Sequence, residues 1–306
     1  MKRLVLSLQE SRDDVSRSAD FVTESRISNA VVERPAHRHL HLSVKSLRGV
    51  RLDEVTLENG RLPGDRLWIL VDENGRFMHQ RDYPQMARVA AAITPLGMRA
   101  STDGLPDLRV SRPDPARVTE SELSHVRLWR RSAPVVHVSR EADEWFTEAL
   151  GVRCRLLAFV PGAPALNVPD YEVHSSLQDA TPFHLTSEDS LADLNARMAA
   201  PVPMNRFRPN LVVRGAEAYA EDRWHRIAIG AHVFRWIKPC KRCAMTTTDQ
   251  ETGSRDRREP LFTLSTYRRL GSEVAFGHYL VAETLAGPLR VGDEVSIVDT
   301  HNSATL

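Results

Sequence analysis

Two of the chain's three cysteines fall in the segment "IKPCKRCAMTTTDQETG", as Cys240 and Cys243. A Cys-x-x-Cys pair supports three chemistries: a structural zinc site, a dithiol redox centre, or a soft thiolate on a heavier metal. A zinc site closed by protein needs four ligands, and one pair supplies two of them. His37, His39 and His41 would share one face of a strand and are the candidates to complete it, but they come from a distant segment. A thioredoxin-like pair needs its first cysteine at a helix N-terminus, where the helix dipole lowers the thiol pKa. Here the "TTT" after Cys243 is β-branched and "DQETG" reads as a turn, so a strand-loop-strand arrangement is expected. Both readings are therefore disfavoured. The third is one thiolate on a metal whose other ligands belong to a cofactor. Lys238, Lys241 and Arg242 surround the pair, and positive potential both favours a thiolate and attracts phosphate.

Composition bounds the rest. At 306 residues the chain is long enough for two domains or one large one. Lys and Arg total 41 against 40 Asp and Glu, a net charge of +1, which lacks the global signature of a nucleic-acid binder. Any basic site must be local. The apolar run Leu4 to Leu8 is too short for a signal-peptide core. No stretch approaches the roughly 20 apolar residues of a membrane helix, so a cytoplasmic protein with no membrane partner is expected. Cys154, alone in "VRCRLLAF", is expected to be an inert core thiol.

The elements that must position these groups are mostly strands. Residues 1 to 35 show no sustained periodicity and read as a weakly structured arm. "RLWILVDENGRFM" reads as a β-hairpin turning at Asn74-Gly75. "SREADEWFTEALG" reads as a helix capped by Ser139 and ended by Gly151. "TSEDSLADLNARM" reads as a second, with Thr186 and Asp189 as a capping box and Leu191, Leu194 and Met198 on one face. "FRPNLVVRG", "RIAIGAHVFRWIKP" and "PLRVGDEVSIVD" are short β-rich runs between Pro and Gly, as expected of a barrel or sandwich with helical decoration. Leu105 to Arg131, rich in proline and charge, reads as a connection, and a domain boundary is expected near residues 151–160.

The blocks "KPCKRCAMTTTDQETG", "EPLFTLSTYRR", "FGHYLVAE" and "LRVGDEVSIVD" resemble the C-terminal domain of MOSC proteins. Upstream, "LSVKSLRGVRLDEVTL" and "GDRLWILVDENGRFMHQRDYPQMARV" resemble the N-terminal β-barrel domain that accompanies it. "ATPFHLTSEDSLADLNARM", "NRFRPNLVVRG" and "YAEDRWHRIAIG" are similar to the segments leading to the cysteine. The resemblance implies a mainly β fold with α decoration: an arm at 1–35, an N-terminal β-barrel domain at 36–155 and a MOSC β-barrel domain at 156–304. The pattern is similar to the mitochondrial amidoxime-reducing component and to bacterial reductases of N-hydroxylated bases.

Carried over position by position, the resemblance implies a molybdenum cofactor, a molybdopterin whose metal takes one protein thiolate, Cys243, with Cys240 a neighbour. Lys45, Ser46, Arg66, Arg208, Asn210, Lys241 and Arg242 fall at positions that hold the cofactor's phosphate or pterin, and arginine offers them bidentate geometry. Asp179 in "QDATPF" aligns with an acid near the metal and is expected either to relay protons or to cap a turn. Ser43 stands where proline is usual and Ala180 replaces a hydroxyl residue. The implied activity is reduction of an N-hydroxylated small molecule, with electrons from a separate flavin or iron–sulfur reductase, since "VDTHNSATL" is followed by no cysteine-rich ferredoxin-like extension. The alternative is a non-catalytic carrier of the cofactor or of sulfur.

Overall fold

The computed structural model describes residues 3–6, 39–129, 131–161, 166–168, 171–173, 176–256 and 258–301. Mainly β architecture is what it holds, built as two interlocked units.

The first unit is organised on the strand Trp68–Val71, whose four residues are all buried. Trp68 and Leu70 face a core shared with Met86, Met98, Phe146 and Leu156, while Ile69 and Val71 face a second one with Val126, Val135 and Phe159. A strand buried on both faces reads as a continuous apolar run, as "WILV" does. Its sheet runs in the order Trp68–Val71, Arg155–Phe159, Arg131–His137, Ser124–Leu128. The expected hairpin forms: Asp72 N donates to Arg76 O at 2.9 Å and Met78 N to Leu70 O at 2.8 Å. The helix Arg140–Leu150 is capped by the Ser139 hydroxyl, which accepts from Ala142 N, and ends at a left-handed Gly151. Cys154 is buried beneath it, and burial pushes its thiol up to about 11.

The second unit is a closed ring of strands. Its order is Phe183–Ser187, Leu211–Arg214, Arg3–Leu6, Glu294–Thr300, Trp224–Ile229, His232–Arg242 and Glu273–Ala282, which pairs back onto Phe183–Ser187. The interior is filled by Phe183, Leu185, Leu211, Val213, Ile227, Phe234 and Leu280. Phe183–Ser187 and Leu211–Arg214 run parallel, which requires a crossover. The helix Glu188–Ala196 supplies it, with Leu194 buried and Leu191 and Met198 packed on the same cluster. Its cap is Ser187, which accepts from Asp189 N and Ser190 N, one residue later than expected; the Thr186 hydroxyl instead donates to Met204 Sδ at 3.1 Å.

Two further expectations change. Arg3–Leu6, assigned to the arm, is a ring strand paired with Leu211–Arg214 and Glu294–Thr300; the rest of the arm and His37 lie outside the described residues. The span from Leu105 to Arg131 contains the strands Leu108–Ser111 and Ser124–Leu128. The units also exchange elements: Glu54–Leu57 pairs with Gly287–Arg290, and Leu57 and Leu62 enter the ring's core. Among the described residues no helix is long and apolar enough to cross a membrane.

One irregularity aims the cysteine segment. Between the pairs Pro239 with His278 and Lys241 with Ala275, Cys240 alone faces both Phe276 and Gly277. Gly277 has φ +76°, and a Cβ there would lie 2.4 Å from Leu185 O and 2.7 Å from His184 Nε2. This β-bulge therefore requires glycine. Gly277→Ala is expected to cost about 1–3 kcal/mol, read as a lower midpoint in thermal or denaturant unfolding; an unchanged midpoint would mean that the bulge can relax.

Candidate active site

The bulge places the end of His232–Arg242 over an open cleft between the two units. All nine expected site residues, Lys45, Ser46, Arg66, Asp179, Arg208, Asn210, Lys241, Arg242 and Cys243, line it. They come from five separate segments, so the coincidence is three-dimensional. Lys238 lies outside the lining, its Nζ 5.9 Å from the centroid of the Tyr279 ring.

Backbone pairing assembles the walls. Lys45 N donates to Trp68 O at 2.8 Å and Arg66 N to Leu42 O at 2.7 Å, laying "LSVKS" along "DRLW". Leu177 N donates to Arg66 O at 3.1 Å, which brings in Asp179, and Asn210 N donates to His184 O at 2.8 Å, which brings in Arg208. Ser43 fits without the usual proline, its hydroxyl donating to Ala91 O at 3.2 Å. Ser46, Arg66, Trp129 and Arg208 all have positive φ, between +46° and +69°. They are four of the six described non-glycine residues in that region, and all four line the cleft. Backbone strain of this kind persists only where the surroundings enforce it.

The charges are arranged unequally. Lys45 is buried and donates to Asp179 Oδ1 at 2.6 Å and to Leu177 O at 2.9 Å. Burial works to lift the Asp179 carboxyl, but the Lys45 charge and hydrogen bond, with donation from Trp129 Nε1 at 2.9 Å, hold it well below the usual carboxylate range. A proton relay needs a carboxyl that titrates near the working pH, and this one stays ionised. Arg66 Nη1 donates to Asp65 Oδ2 at 2.5 Å and to Asn210 Oδ1 at 3.1 Å.

Arg208 is different. Its guanidinium is buried, pushed down to about 9 chiefly by desolvation, and it donates to the neutral Gln250 Oε1 at 2.9 Å. Among the described residues it has no ion pair. Arg242, only half-buried, donates to Cys240 Sγ at 2.7 Å and to Phe207 O at 2.8 Å. Buried cations held by neutral acceptors are costly unless an anion completes them. The lining carries six Lys and Arg side chains, with Arg81 the sixth, against one carboxylate, Asp179. The donor set therefore fits a phosphate-bearing ligand. Lys241, at the rim, is half exposed and paired with Glu273.

The two cysteines separate. Cys240 is buried and held by Arg242, whereas Cys243 is exposed at the cleft, opening the 3-10 turn Ala244–Thr247. That turn replaces the second strand expected after the motif. Among the described residues no group of three or more His, Cys, Asp or Glu could hold a metal, so a metal at Cys243 needs ligands from elsewhere. His41 is occupied, its Nε2 2.7 Å from Pro63 O.

Sequence reasoning missed Asp65, His184, Gln250 and Trp129. His184, buried and 3.3 Å from Arg242, is held neutral by burial and then by that charge. Gln250 bridges Arg208 to Gln80 of the other unit. "DRLW" could have flagged Asp65 as a partner for Arg66, but nothing local marks the others.

A two-unit β protein with an exposed thiol beside a cation-rich cleft is thus on hand, and comparison with known proteins gives it a family. Residues 39–153 match the MOSC N-terminal beta barrel domain and residues 170–296 the MOSC domain. The chain is 34% identical over 275 residues to mitochondrial amidoxime reducing component 2 of Bos taurus, covering 82% of this chain and 80% of that one. It is 31% identical to mitochondrial amidoxime-reducing component 1 of Mus musculus, covering 83% and 79%. A 30% match covers 86% of this chain but 36% of the molybdenum cofactor sulfurase of Solanum lycopersicum. The chain belongs to the MOSC family, with the N-terminal beta barrel domain preceding the MOSC domain.

A stability contrast tests the electrostatics in cofactor-free protein. Arg208→Met removes a buried charge without an ion pair and is expected to leave the unfolding midpoint unchanged or raised. Arg268→Met removes two bonds to Asp222, at 2.6 and 2.9 Å, and leaves it the His278 Nε2 contact at 2.8 Å; it is expected to cost about 1–3 kcal/mol. Equal losses would show that Arg208 is satisfied without an anion.

Proposed function

We propose that this protein is a molybdenum-cofactor-dependent oxidoreductase that reduces N-hydroxylated compounds, such as hydroxylamines, amidoximes and N-hydroxylated bases. The observation that carries the reading is the buried Arg208, without an ion pair among the described residues, in a cleft that also presents the exposed Cys243 thiol. Relatives named for amidoxime reduction support the reaction class. For a hydroxylamine the balance is R–NHOH plus two electrons and two protons giving R–NH2 and water, with the N–O bond broken. Electrons come from a separate flavin or iron–sulfur reductase.

The cofactor, when bound, supplies the two-electron redox chemistry. Cys243 is its protein ligand. Lys45, Ser46, Arg66, Arg208, Asn210 and Arg242 hold its phosphate and pterin, with Lys241 at the rim. Asp179 serves as a fixed anion that orients Lys45 and the Trp129 indole, so protons for N–O cleavage come from solvent rather than from its carboxyl. Cys240 positions Arg242.

The test is turnover of benzamidoxime with reduced viologen as electron donor, using protein made in a host that synthesises the cofactor. Wild type is expected to form benzamidine, Cys243→Ala to lose the activity, and Cys240→Ala to lose no more than the ~10–100-fold of a supporting residue. The carrier reading draws on the match to a cofactor sulfurase. It would win if wild type passed its cofactor to an apo-enzyme and reduced no N-hydroxylated compound.

A further inference from the structure

On the reductase reading, the cleft still needs a surface that chooses among N-hydroxylated compounds, and one wall is built for flat rings. The hairpin joining Ser124–Leu128 to Arg131–His137 pairs Leu128 with Arg131, which makes Trp129 the first residue of a two-residue tip. Such a tip requires a positive φ at that position, where glycine or asparagine is least strained. Trp129 takes it at φ +54°. A bulky aromatic residue in that region is a real backbone outlier, and Trp129, 48% exposed as a residue, lines the cleft.

The ring is held, not loose. Its Nε1 donates to Asp179 Oδ1 at 2.9 Å, and the Arg81 guanidinium lies over the indole at 4.6 Å. Phe77 meets it edge-on at 5.2 Å, and His79 lies nearly parallel, 10° away in plane, at 6.5 Å. Phe77, His79, Arg81 and Trp129 all line the cavity that Cys243 lines. A fixed, half-exposed aromatic wall has little rotamer entropy to lose on stacking a ligand. We propose that the Phe77, His79 and Trp129 wall is the specificity element of the cleft, favouring N-hydroxylated substrates whose nitrogen is conjugated to a planar aromatic or heteroaromatic ring. Aliphatic analogues carry the same reacting group but no face to stack.

Benzamidoxime and acetamidoxime share the amidoxime and differ in the ring, so the ratio of their kcat/KM values isolates the wall. The ratio is expected to fall about three- to tenfold in Trp129→Leu, the range of one aromatic contact, and to return toward wild type in Trp129→Phe. The phenylalanine variant keeps a ring but loses the bond to Asp179. A fall of both substrates together in both variants would make Trp129 a support for Asp179 and overturn the proposal, as would an unchanged ratio. Calorimetric binding of benzamidoxime to the cofactor-loaded protein gives a readout without turnover. Trp129-dependent binding in a protein that reduces neither amidoxime would keep the wall and sink the reductase reading. Reduction of both, with binding indifferent to Trp129, would do the reverse.

Discussion

Burying positive charge without enough negative charge is the constraint on which this structure turns. Lys45 and Arg66 each have a carboxylate, Asp179 and Asp65, at 2.6 and 2.5 Å. Arg208 and Arg242 are met instead by an amide oxygen, a backbone carbonyl and a sulfur. The desolvation cost of such groups runs to several kcal/mol per ion. The fold bears it through two cores and a closed ring, so the cleft is pre-organised for an anion before one arrives. Neutralising every cation with an acid would stabilise the empty protein and weaken its hold on a phosphate.

Strain follows the same distribution. Positive φ at Ser46, Arg66 and Arg208 bends three segments so that their side chains converge, and the Gly277 bulge turns the strand that ends in Cys240 and Arg242. The interlocking of the units supports this. Glu54–Leu57 pairs across to Gly287–Arg290, and Gln80 from one unit bonds Gln250 from the other, beneath Arg208. Hinging the units apart would break the cleft, which is a reason for the shared strands.

Much of this was legible in the chain. The helix caps at Ser139 and Gly151, the turn at Asn74-Gly75 and the "WILV" strand are local signals, and the structure has them. The motif resemblance marked nine positions that meet at one cleft. What escaped was set by long-range partners. "RLVL" is too short to announce a strand, and it becomes one because Leu211–Arg214 and Glu294–Thr300 offer it two edges. Thr186 looks like a cap, but its hydroxyl is taken by Met204 from a later segment and Ser187 caps the helix. The ionised state of Asp179 depends on Lys45, 134 positions away in the chain. Trp129 reads as an ordinary surface aromatic until the hairpin tip turns it toward Phe77 and His79.

On the proposed reading Cys243, and not Cys240, is the thiol that a metal cofactor meets in this cleft. X-ray absorption at the molybdenum edge counts sulfur neighbours directly, in wild type and in the two cysteine-to-serine variants. One sulfur fewer around molybdenum is expected in Cys243→Ser and an unchanged count in Cys240→Ser. An equal loss in both variants, or a loss only at Cys240, would contradict it.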